Sequence, residues 1–144
     1  MEHITTQRNG APRLLVVEDE PAVRLAIMRC LEHVSRFDLW GTSTVEKARA
    51  FIAEQGAPDA ILLDLMLPDR PGTDLLCDVR TQDLPIRVVL WTGATEGNPE
   101  LQRALRCGPD AVLFKPVSNV MQVLASLLPA EGPVNGPDEG ADAP

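Results

Sequence analysis

The chain has 144 residues, 44% of them apolar, and a formal charge of −8 from 13 basic and 21 acidic side chains. That length fits one domain with a real core. The acidic balance argues against binding nucleic acid through a basic surface. Nothing reads as a signal peptide, and no apolar run approaches the ~20 residues of a membrane span, so a soluble cytoplasmic domain without membrane contact is expected. Cys30, Cys77 and Cys107 are odd in number and far apart, which fits neither a disulfide framework nor a zinc site. A reducing cytosol is the simpler reading, with each cysteine a small buried hydrophobe.

Taken in chain order, residues 1–12 are polar and without periodicity, and a flexible N-terminus is expected there. Leu14–Val17 is a continuous apolar run that ends in Glu18, Asp19 and Glu20. Val23, Ala26, Ile27, Cys30, Leu31 and Val34 then follow helical spacing, with Pro21 near the first turn. A weaker run, Phe37–Trp40, precedes a possible capping box of Ser43 and Glu46 and a helix carrying Val45, Ala48 and Ile52. Ala60–Leu63 leads through Pro71 and Gly72 to Leu75, Leu76 and Val79. Val88–Trp91 leads through Asn98 and Pro99 to Leu101, Ala104 and Leu105, closed by Gly108. Ala111–Phe114 is followed by Ser118 and a last helix of Val120, Val123, Leu124, Leu127 and Leu128. Residues 129–144 are rich in proline, glycine and acid and carry no base, so the folded domain is expected over 13–128 and a disordered tail beyond it.

Five repeats of strand then helix call for an α/β fold with a five-stranded parallel sheet, doubly wound with helices on both faces. The continuous rather than alternating apolar runs agree with strands covered on both sides. In open parallel sheets, sites form beyond the carboxyl ends of the strands. The residues there are Glu18 and Asp19 after the first run, Asp64 after the third, Thr92 after the fourth and Lys115 after the fifth. Clustered carboxylates need a cation, and an all-oxygen set favours Mg²⁺. Asp64 then has a role as a phosphoryl acceptor. A metal held by Asp19 and Asp64, the Lys115 ammonium and the Thr92 hydroxyl would supply the charge stabilisation and positioning that phosphoryl transfer requires. Each residue alone has an ordinary structural reading, and the weight lies in their succession at strand ends.

With these residues in hand, the sequence resembles the receiver domain of two-component response regulators. The matching segments are LLVVEDE (14–20), ILLDLMLPDRPG (61–72), VLWTG (89–93) and AVLFKP (111–116). The resemblance implies a flavodoxin-like sheet of strand order 2-1-3-4-5 and a cis bond between Lys115 and Pro116. It implies Asp64 as phosphoacceptor, Thr92 as switch hydroxyl and Lys115 as the lysine of the site. It further implies Mg²⁺ held by Glu18, Asp19, Asp64 and the Met66 carbonyl. The phosphoryl donor would be a sensor histidine kinase or a histidine phosphotransfer protein, with no catalysis beyond the domain's own phosphorylation and dephosphorylation. One departure is Val112, which stands where the family usually has an aromatic residue.

Other classes fit less well. A phosphatase with an aspartyl nucleophile wants a second aspartate two residues on, where this chain has Met66. A nucleotide-binding fold wants a glycine-rich loop after the first strand, where this chain is acidic. The alternative kept open is a pseudo-receiver, an interaction module that needs no phosphate. No output module is recognisable after Leu128, so signalling by docking to a downstream protein is expected.

Overall fold

In the computed structural model, residues 1–5, 10–116 and 119–128 are described. The elements run β1 (Glu2–Ile4), β2 (Arg13–Val17), α1 (Pro21–Val34), β3 (Asp38–Thr42), α2 (Val45–Gln55), β4 (Ala60–Leu63), α3 (Gly72–Thr81), β5 (Arg87–Thr92), α4 (Pro99–Arg106), β6 (Ala111–Phe114) and α5 (Val120–Leu127). They form one sheet of order β1-β3-β2-β4-β5-β6. The five strands expected from the apolar runs are present, all parallel and in the expected 2-1-3-4-5 order among themselves.

The strand count is nevertheless six, not five. Glu2–Ile4, in the segment expected to be flexible, pairs antiparallel with β3 at the sheet edge, with His3 opposite Trp40. Three residues are too few to show a period. What holds them is side-chain chemistry: the His3 ring stacks on Trp40 at 3.6 Å between centroids, and its Nε2 lies 2.8 Å from the Asp38 carboxylate. The Glu2 carboxylate accepts from Arg24 Nε at 2.7 Å and from Nη2 at 3.0 Å. Gly41 leaves room for this, since a Cβ there would lie 2.5 Å from the Met28 sulfur and 3.0 Å from a Glu2 oxygen. The Arg24 hydrogen bond, against the opposing effect of burial, holds the Glu2 carboxyl below its ordinary value. A depressed carboxyl stabilises the fold above its unfolded pKa, and that contribution is lost as pH falls through the folded value. Glu2→Gln is therefore expected to lower Tm by a few degrees at neutral pH and to flatten the acid limb of a stability-versus-pH curve. Thermal melts of both proteins between pH 3 and 7 check this.

The continuous apolar runs are explained by two cores, one on each side of the sheet. Leu15, Val17, Ile61, Leu63, Val88 and Leu90 point towards α2, α3 and α4. Leu14, Val16, Ala60, Leu62, Val89 and Trp91 point towards α1 and α5. Alternate side chains of each strand thus go to opposite faces, and both faces are dry. The helices start close to where their signals lie. Pro21 and Pro99 occupy first-turn positions, and the Asn98 side chain accepts from Glu100 N and Leu101 N. For α2 the cap is Thr44, which accepts from Lys47 N at 3.0 Å, rather than Ser43. Asn119 caps α5; Ser118 and the tail 129–144 lie outside the described residues.

The cysteines depart from expectation. None is a buried hydrophobe: Cys77 and Cys107 form a disulfide between α3 and the end of α4, and Cys30 is exposed on α1. Thirty residues separate the bridged pair in sequence, a spacing that carries no signal; the fold alone brings them together.

Candidate functional site

The rim at the carboxyl ends of β2, β4, β5 and β6 is positioned by an extension of the sheet ladder. Glu18 N donates to Thr42 O (3.0 Å), Asp64 N to Val17 O (3.0 Å) and Lys115 N to Thr92 O (2.8 Å). Each site residue is thus held by its neighbour strand one step past the regular pairing. Glu18, Asp64 and Thr92 are buried and Asp19 is exposed.

Three of the sequence-derived residues meet directly. Lys115 Nζ lies 2.6 Å from Glu18 Oε1 and 3.0 Å from Asp64 Oδ2. Burial works to lower the lysine's pKa, but the hydrogen bonds to Glu18 and Asp64 and their charges outweigh it, and the ammonium is held above its ordinary range. Lys115 also lies 4.7 Å from the centre of the Trp91 ring, so its outer face meets a π-system. The second Asp64 oxygen, Oδ1, accepts from Met66 N at 3.1 Å, and Glu18 Oε2 accepts from Glu20 N at 3.1 Å. Glu18, Asp19 and Asp64 each bring one carboxylate oxygen within 4.8 Å of the others. Thr92 Oγ1 accepts from Ala94 N at 3.0 Å, which ties the hydroxyl to the start of the β5–α4 loop. The Lys115–Pro116 bond is cis, as the resemblance implied.

The acidic group fits a hard divalent cation. Its donors are all oxygen, three carboxylates lie close together, two of them paired with Lys115, and the third, Asp19, faces solvent.

Several supporting residues were not singled out from the sequence. Arg24 is buried, and its Nη1 donates to the Glu18 carbonyl at 2.6 Å while the rest of its guanidinium holds Glu2. An arginine on the apolar side of an amphipathic helix was the available signal. Asp69 accepts from Val45 N (3.1 Å) and Glu46 N (3.0 Å), anchoring the loop after Asp64 to the start of α2. Burial opposes this, but those backbone N–H groups hold the Asp69 carboxyl below its ordinary value.

Gly72 closes the same loop, its N–H donating to Leu65 O at 2.8 Å. A Cβ there would collide with the Asp64 carbonyl oxygen and lie 3.1 Å from a Leu63 methyl. Gly72→Ala is expected to push the Asp64 backbone aside and to cost about 1–3 kcal/mol, the usual range for overpacking. Gly93→Ala, where a Cβ meets nothing within 4 Å, is the matched control and should leave the melt nearly unchanged. Denaturant titrations of the two variants decide it.

Comparison with known proteins agrees with this geometry. The model of the response regulator receiver domain matches residues 14–126. The response regulator protein VraR of Staphylococcus saprophyticus is 36% identical over 107 residues, 74% of this chain and 50% of that protein. The probable transcriptional regulatory protein TcrX of Mycobacterium tuberculosis is 33% identical over 138 residues, 92% of this chain and 56% of its own length. The chain therefore spans about half the length of the curated relatives it matches. A CheY-like response regulator receiver domain protein from Methanospirillum hungatei superposes with a TM-score of 0.72 at 27% identity, covering 81% of this chain and 90% of that one. With the sheet order, the acidic rim and a family match over most of its length, this chain belongs to the response regulator receiver domain family.

Proposed function

We propose that this chain is a phospho-accepting switch in which Asp64 takes a phosphoryl group from the phosphohistidine of a sensor kinase or phosphotransfer protein. The observation that carries this reading is the buried Asp64 carboxylate, held at 3.0 Å by Lys115 and gathered with Glu18 and Asp19 at the open end of the sheet. Glu18, Asp19, Asp64 and the Met66 carbonyl would hold Mg²⁺, which supplies charge neutralisation at the transferring phosphoryl group. The chain's own residues do the rest. Met66 N–H fixes Asp64 Oδ1, leaving Oδ2, the oxygen now paired with Lys115, to attack phosphorus. The Lys115 ammonium, already charged and partly buried, then has a phosphoryl oxygen to pair with in place of the acceptor oxygen. The Thr92 hydroxyl, hydrogen-bonded at present to Ala94 N, is the group free to turn inward, and the β5–α4 loop turns with it.

The output would be docking to another protein after a shift between two populated conformations rather than a new fold. No helix among the described residues is long and apolar enough to cross a membrane. The pseudo-receiver alternative draws on Val112, which is small and half-buried beside α4 residues Leu101 and Leu105.

The test is the metal requirement of phosphorylation. With acetyl phosphate as donor, intact-protein mass spectrometry is expected to show one added phosphoryl group in millimolar Mg²⁺ and none above background after chelation with EDTA. Asp19→Asn should shift the Mg²⁺ titration, followed by Trp91 fluorescence, to higher concentration. Metal-independent labelling would overturn the reading.

A further inference from the structure

We infer that Cys77 and Cys107 are a reversible thiol–disulfide modification site that fixes or frees the far end of α4. Their Cα atoms lie 5.6 Å apart, within the range two cysteines bridge without backbone movement. Both are half-buried. Cys30 does not compete, because α1 packs on the opposite face of the sheet from α3 and α4.

The consequence follows from how α4 is held. It buries only Leu101 and Ala104, and Leu105 is 43% exposed. Its middle is tied to α3 by Arg103 on Asp74 at 2.7 Å, an ion pair open to solvent. Its start follows Thr92 through residues 93–98, where a Cβ added at Gly93 or Gly97 would meet nothing within 4 Å and Glu96 O accepts from Gln102 Nε2 at 2.6 Å. Its end is held by the Cys77–Cys107 bond and by Arg80 Nε on the Gly108 carbonyl at 2.9 Å. A helix with so little buried surface owes its order to such ties. With the bridge closed, α4 pivots about Cys107; with two thiols, it can also slide.

The chemistry balances with a small-molecule disulfide such as oxidised glutathione as oxidant. The Cys77 thiolate attacks one glutathione sulfur, and the glutathione S–S bond breaks to release a thiolate. The Cys107 thiolate then attacks Cys77 sulfur and expels the second glutathione. The two cysteine sulfurs lose two electrons in all. Glutathione disulfide gains them and, with the two protons, becomes two thiols. Excess reduced glutathione runs the steps backwards.

The site itself needs no phosphate; its effect on signalling rests on the proposed phospho-switch. The test therefore uses the unphosphorylated full chain, so that failure of the bridge and failure of the phosphoacceptor reading are told apart. The chain is equilibrated in glutathione buffers of graded redox ratio, quenched with an alkylating agent and weighed. Cys30, exposed and without a resolving thiol, is expected to take up one glutathione in the most oxidising buffers, while the labels on Cys77 and Cys107 disappear together without added glutathione mass and return on reduction. Amide exchange over residues 99–107 is expected to be at least tenfold slower in the oxidised form. In Cys77→Ser it should not respond to the buffer. Independent titration of the two cysteines, free thiols persisting in excess oxidised glutathione, or equal exchange in the two forms would overturn the inference.

Discussion

Asp64→Asn is expected to remove phosphoryl incorporation completely while leaving the fold intact. The acceptor must offer an anionic oxygen, and an amide has none at neutral pH. Asn is nearly isosteric with Asp, and its carbonyl oxygen can still accept from Met66 N, which now lies 3.1 Å from Oδ1. Lys115 keeps its shorter partner, Glu18, at 2.6 Å. The substitution also removes one of three clustered negative charges, of which two pair with Lys115, so mutual repulsion falls. Tm is therefore expected to stay within a few degrees of the parent or to rise, and a lost adduct cannot be attributed to unfolding. The parent adduct, an acyl phosphate, should be labile in alkali. Intact mass after acetyl phosphate and Mg²⁺, read beside a thermal melt, settles both halves. An undiminished adduct in the variant would show that another residue carries the chemistry, with the exposed Asp19 the first to examine.

The sequence was most legible where a pattern repeats. Five apolar runs separated by helical periods specify a parallel sheet, and in such a sheet the residues that end the strands must share a rim. Glu18, Asp64, Thr92 and Lys115 could thus be placed together without coordinates for any of them, and the ladder bonds of Glu18, Asp64 and Lys115 give the reason. The illegible features are those without a period. β1 is three residues long and depends on the His3–Trp40 stack and the Glu2–Arg24 pair, both between groups far apart in the chain. Arg24 had the helical spacing of a core residue and the charge of a surface one, and only the meeting of Glu2 with the Glu18 carbonyl reconciles the two. The Cys77–Cys107 pair depends on how α3 lies against α4, a matter of tertiary packing that composition and spacing do not record.

A long-lived phosphoryl state is the second large effect expected, and it follows from two side chains that the backbone directs to equivalent places. Met66 stands two residues after Asp64, and its N–H returns to Asp64 Oδ1 at 3.1 Å. Ala94 stands two residues after Thr92, and its N–H returns to Thr92 Oγ1 at 3.0 Å. Both therefore begin beside the reacting groups. Hydrolysis needs a water in line with phosphorus, opposite the carboxylate oxygen, and a polar side chain at either position could orient it. Methionine offers at most a weak sulfur acceptor and alanine nothing. Met66 is 59% exposed, so it is not packed away against the loop, and its long side chain is available to crowd the water's approach. Phosphorylated parent protein is expected to decay over many minutes to hours. Met66→Asn should decay about tenfold faster, a modest share of the 10²–10⁴ that full general acid–base assistance supplies. Met66→Leu, apolar and of similar volume, should match the parent and separates polarity from bulk. The measurement is loss of the phosphoryl mass after rapid removal of donor, at fixed Mg²⁺. Decay of the parent within seconds, or an unchanged rate in Met66→Asn, would mean that these two positions do not govern the water.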